Sequence, residues 1–135
     1  MNISSYEDLL NAANKQAEPQ RLLFVFTSAE MSGDQPNARK EGTLTPVMCF
    51  DKLASERGDF ASLVEESIQT GMSWDIVFVA CMSGKHGAAP SNKETEQPLK
   101  TMIKSIQDGN IGSFLAFNRE GELIQLSLST RNAVH

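Results

Sequence analysis

Seven consecutive apolar residues, Ile76 to Met82, constrain this chain more than any other stretch. The run is far too short to cross a bilayer and too continuous for a strand with one wet face, so it reads as a strand buried on both sides at the centre of a sheet. RLLFVF, Arg21 to Phe26, has the same character and belongs in the sheet interior. LTPVMCF, Leu44 to Phe50, is a further strand, and Pro46 near its start marks an edge or an irregular beginning. FLAF and LIQLSL flank the turn-forming residues Asn118 to Gly121 and predict a hairpin with Ile124, Leu126 and Leu128 on its buried face.

Helical periodicity fills the gaps. Ser4 stands three residues ahead of Glu7, a capping-box spacing, and Ile3, Tyr6, Leu9, Leu10 and Ala13 share one face. Asp59 caps a second helix through Phe60, Leu63, Val64 and Ile68, which Gly71 ends. Leu99, Met102, Ile103 and Ile106 mark a third, with Pro98 in its first turn and Gly109 at its C-terminal cap. The expected fold is α/β (or α+β), in the order α-β-β-α-β-α-β-β. Strands linked through helices imply right-handed crossovers, hence a mixed, mainly parallel sheet of about five strands flanked by helices, with a C-terminal β-hairpin. One domain spans 1–135, interrupted by long polar loops at 27–43 and 83–97.

Lys and Arg number 12 against 17 Asp and Glu, a net charge of -5, which disfavours nucleic acid as a partner. No segment predicts membrane insertion, and the acids in MNISSYEDLL do not suit a signal peptide, so a cytoplasmic protein is expected. Cys49 and Cys81, both in apolar segments, read as free, buried thiols of a reducing compartment.

Chemistry concentrates in the loop that leaves the central strand. A Walker-type phosphate loop needs a glycine five positions before Gly84 and a hydroxyl after Lys85; Val79 and His86 occupy those places. A weaker anion nest remains, with Gly84 and Gly87 letting backbone amides converge beside the Lys85 charge. A nucleophilic site would pair Ser83 or Cys81 with His86, oriented by Asp51, although Cys81 follows Val77 and Val79 on one strand face and reads as a core thiol. Cys49, Cys81 and His86 lack metal-ligand spacing, so neither metal nor cofactor is expected. Glu65 and Glu66, adjacent on a helix, read as a solvated face. In a mainly parallel sheet the ends of the second, third and fourth strands share one edge, where ligands of open α/β sheets collect. Arg21, Lys52, Lys85 and Arg119, with His86, would there form a cationic mouth for a small anionic ligand or an acidic segment of a protein partner.

PQRLLFVF, LTPVMCFDK, DIVFVACMSG and GNIGSFLAFNREGE together resemble a family of short proteobacterial proteins that carry the label ribonucleotide reductase subunit alpha, and the likeness extends over most of the chain. These blocks are mainly strands, so the resemblance implies a fold and no catalytic residues. The catalytic subunit of that reductase is, as a family, a far larger barrel with a radical cysteine and a redox cysteine pair, which a chain of 135 residues with two cysteines does not supply. What the resemblance implies for function is an accessory role in nucleotide metabolism.

The chain is therefore expected to be a small binding module for a protein partner or small anion. The alternative is a small enzyme built on Ser83, Lys85 and His86. A homodimer formed through the edge strand LIQLSLS is a third expectation.

Overall fold

The computed structural model describes residues 3–31, 42–56 and 58–124. Helix α1 (Tyr6–Asn14) precedes strands β1 (Gln20–Met31) and β2 (Gly42–Leu53), helix α2 (Phe60–Gln69), strand β3 (Ile76–Ser83), helix α3 (Glu96–Gln107), and strands β4 (Leu115–Phe117) and β5 (Leu123–Ile124). Single 3-10 turns follow β2 at Ala54–Glu56 and precede α3 at Lys93–Thr95.

The strands lie in the order β2-β1-β3-β4-β5, and every neighbouring pair is antiparallel. The mainly parallel sheet expected from the sequence is thereby overturned in favour of an α+β fold. β1 is the cause: it inserts between β2 and β3. Those two strands share a direction, as a helical crossover allows, but each bonds to β1 running the other way. The connection through α3 then delivers the chain beside the middle of β3, with Leu115 opposite Val79, so β4 runs back along it.

Helices cover both faces. α1 and α2 pack with Tyr6, Leu9, Leu10 and Leu63 against Leu22, Phe24, Phe26, Val77, Val79 and Phe117. On the other face Met102 and Ile106 of α3 cover Leu23, Val25, Ile76, Phe78 and Ala116. Neither β1 nor β3 has a wet face along its core segment, which is why both read as unbroken apolar runs. Phe24, Phe26, Phe78 and Phe117 have no exposed surface, and each such side chain contributes about 1.5–3 kcal/mol of transfer free energy.

Regular structure takes up parts of both expected loops, of which residues 32–41 lie outside the described residues. β1 and β2 extend to Met31 and from Gly42, so both ends of the 27–43 loop are strand. Within 83–97 the chain forms a tight turn, a 3-10 turn and the start of α3. The β1–β2 register slips between Phe26 and Thr27, which faces Pro46; a proline without an N–H suits such a break on an edge strand. No helix among the described residues is long and apolar enough to cross a membrane. Ile124 is half-buried in β5, whereas Leu126, Leu128 and the rest of the expected dimerising strand lie outside the described residues.

Candidate functional site

Register decides which side chains share a rim. Arg21 stands opposite Leu53 on one side and Met82 on the other, so the start of β1 meets the ends of β2 and β3. Arg119 does not join them. It follows β4, whose Phe117 faces Val77, and β3 rises about 20 Å from there to Ser83. The Arg119 guanidinium lies instead over the Trp74 ring, 5.2 Å from its centroid. The four-cation mouth is thus corrected: an antiparallel β4 sends its C-terminal turn to the far end of the sheet.

Two of the remaining cations are already paired. Arg21 Nη1 donates to Asp51 Oδ1 at 2.6 Å, and its Nε donates to the Pro90 carbonyl at 2.6 Å. Lys52 Nζ bonds Glu66 Oε2 at 2.8 Å on the α1–α2 face. Lys85 is exposed and makes no ion pair among the described residues. Arg21 and Asp51 serve as a clamp: Asn92 Nδ2 donates to Asp51 Oδ2 at 2.5 Å, and Thr95 Oγ1 to the same oxygen at 3.4 Å. This network ties the approach to α3 onto the sheet, and with the Arg21–Asp51 pair mostly shielded from water it resists solvent competition.

Above the clamp, Lys85, His86, Gly87 and Ala88 close a two-residue hairpin. Lys85 N–H donates to Ala88 O and Ala88 N–H to Lys85 O, both at 2.9 Å. Both central residues have positive φ, 55° at His86 and 80° at Gly87, the mirror-image class of turn. Glycine adopts this geometry freely, and histidine adopts it at a cost. Three contacts hold it: Gly87 N–H donates to Glu18 Oε1 at 2.8 Å, Gly84 N–H donates to Pro19 O at 2.8 Å, and the absence of a side chain at Gly84 lets Ala88 O come close, since a Cβ there would stand 2.0 Å away. A shallow cleft of about 460 Å³ beside the turn is lined by apolar Met82, Ala88 and Pro90 and by polar Ser83, Lys85 and Glu94.

The nucleophilic arrangement is not formed. Ser83 Oγ accepts from Gln20 Nε2 at 3.0 Å, Asp51 is held by Arg21 and Asn92, and no hydrogen bond joins Ser83 to His86. Nor do the thiols behave as core residues. Cys49 and Cys81 are free, as their sequence context suggests, but both are exposed. Cys49 sits on the edge strand, and Cys81 lies where β3 becomes exposed again beyond Val79. Partial burial still raises both thiols above their ordinary value, helped at Cys49 by the Asp51 charge. Cys49 faces Val25 on the α3 side and Cys81 faces Leu22 on the other, so they do not converge with His86. Among the described residues no group of three His, Cys, Asp or Glu is placed to hold a metal ion.

Sequence reasoning missed Glu18, Gln20, Asn92 and Thr95, because their roles arise from cross-strand register and not from local spacing. The tight turn had a local signal in Gly84 and Gly87. No family model, curated protein or solved structure matches this chain.

Proposed function

We propose that this chain is a cytoplasmic binding module whose ligand, a small molecule or an acidic segment of a protein partner, presents an anionic group to Lys85 and His86. One observation carries the reading. His86 is held at φ 55°, a conformation that costs a non-glycine residue about 1–2 kcal/mol, and strain of this kind persists where surrounding contacts fix a ligand-facing segment. The turn sets the Lys85 ammonium, which no other described residue engages, in the wall of a cleft of about 460 Å³, with the His86 imidazole next to it in the chain. That volume lies within the usual range of small-molecule sites, about 300–1,000 Å³. Free thiols at Cys49 and Cys81 suit a reducing compartment.

Two probes test the reading by calorimetric titration: ADP, whose phosphates represent the small anion and the nucleotide implied by the resemblance, and a triglutamate peptide, which represents the acidic segment. At least one is expected to bind, more weakly as salt rises. Lys85→Ala should lower its affinity about tenfold, the scale of a charge-assisted contact, with an unchanged melting temperature. If neither probe binds, or the variant binds as tightly as the parent, the assignment falls.

A further inference from the structure

A second, smaller cleft of about 170 Å³ opens on the opposite face of the sheet, between α1, the Ala54–Glu56 turn and the start of α2. Leu10 and Leu63 supply apolar wall, while Lys52, Glu56, Asp59 and Glu66 supply charge. Among the described lining residues, three carboxylates stand against one ammonium. The ammonium is committed to Glu66 Oε2 at 2.8 Å. Asp59 Oδ1 accepts from Ser62 N–H at 2.9 Å and Glu56 Oε2 from Leu53 N–H at 3.0 Å. Glu56 and Glu66 therefore each keep one oxygen without a hydrogen bond among the described residues, whereas the Asp59 carboxylate is also met by the Ser62 hydroxyl.

Tyr6 provides an independent observation. It is 3% exposed, and its ring packs edge-on against Phe60 and Phe117. Its hydroxyl nevertheless has no hydrogen-bond partner among the described residues. No fully buried side-chain nitrogen or oxygen in that set lacks a partner, so the little surface that Tyr6 retains includes this oxygen, and it opens into the cleft that Tyr6 lines. Burial, with the nearby Cys81 thiol and the Glu56 and Glu66 carboxylates adding to it, pushes the phenol far above its ordinary value and keeps it neutral. A buried, neutral phenol facing open space instead of a protein acceptor is an unfilled hydrogen-bonding position.

We infer that this cleft binds an amine or guanidinium group on a short aliphatic stem, the cation meeting Glu56, Asp59, Glu66 and the Tyr6 oxygen and the stem lying along Leu10 and Leu63. The volume sets the size: about 170 Å³ is below the usual range for whole small-molecule ligands, about 300–1,000 Å³, and fits a group no larger than a side chain. The same chemistry comes from a free alkylamine or from a lysine or arginine of a protein. This site is separate from the Lys85 turn in face and in charge, and it does not depend on that reading.

Tyr6 is the sole tyrosine of the chain, so full-length protein labelled with ring-¹³C tyrosine gives an NMR reporter at the site itself. Titration with butylamine or butylguanidine should shift that signal saturably, and butyrate should not. Glu56→Gln and Glu66→Gln, which keep size and fold, should each weaken binding at least about fivefold, while Lys85→Ala leaves it unchanged. Tyr6→Phe, followed by calorimetry, should also weaken it. Tighter binding of N-acetyl-lysine amide than of butylamine supports a protein side chain as the occupant, and the reverse order supports a free amine. No saturable shift with either cation, an equal shift with butyrate, or glutamine variants that bind like the parent would overturn the inference.

Discussion

Gly84 and His86 shape the same turn from opposite directions. Gly84 is required by space, because a methyl would meet Ala88 O at 2.0 Å; Gly84→Ala should lower stability by about 1–3 kcal/mol as the turn is forced open. His86 is tolerated against its backbone preference at φ 55°, so His86→Gly should raise stability by about 0.5–1 kcal/mol. Urea unfolding of the two variants checks both signs. A stabilised glycine variant that binds less well would identify the histidine as a residue kept for its side chain. Equal or lower stability would mean that the imidazole makes up for its conformation.

At the scale of elements, what local chemistry controls was legible and what distant pairing controls was not. Asp59 caps α2 as its position implies, and Gly71 and Gly109 take positive φ after α2 and α3. The first cap is displaced by one residue: Ser5 Oγ accepts from Asp8 N–H, and Ser4 donates to the Asp8 carboxylate through both N–H and hydroxyl. Spacing placed Ile68 on the buried face of α2, yet it is 56% exposed while Ser67 is fully buried. Hydrophobic periodicity cannot register this exchange, because Ser67 is drawn inward by a partner outside the helix: Trp74 Nε1 donates to its hydroxyl at 2.7 Å, and the hydroxyl donates to Val64 O at 2.6 Å. Ser67→Ala leaves the buried indole N–H unpaired and should cost about 1–3 kcal/mol, read by urea denaturation followed through Trp74 fluorescence. The candidate sites obey the same division. Lys85 and His86 were visible as residue types, whereas the pairing of Arg21 with Asp51 and of Lys52 with Glu66 depends on register and helix docking. Glu66 is exposed, as its reading as part of a solvated face implies, and it also lines the Tyr6 cleft.

For the molecule as a whole, stability should fall at both ends of the pH scale for identifiable reasons. Tyr6 has its folded value raised above the ordinary 10.0, so the stability it gives is complete below that pH and is lost as pH climbs past it. Tyr6→Phe should flatten this alkaline decline, and chemical denaturation at a series of pH values from about 8 to about 12 is the check; an unchanged slope would place the alkaline sensitivity elsewhere. On the acid side the signs reverse. The Ser4 N–H holds Asp8 below the usual carboxylate range, and the Ser62 N–H does the same for Asp59. Their contributions are present at neutral pH and lost as pH falls through the depressed values.

The insertion of β1 between β2 and β3 also governs the order in which the protein can be made safe. During synthesis the strand richest in phenylalanine leaves the ribosome ahead of both its neighbours and gains one flank from β2, but its other flank stays bare until Ile76–Ser83 has emerged. Any fragment cut before that point carries an open, sticky seam along its most apolar strand.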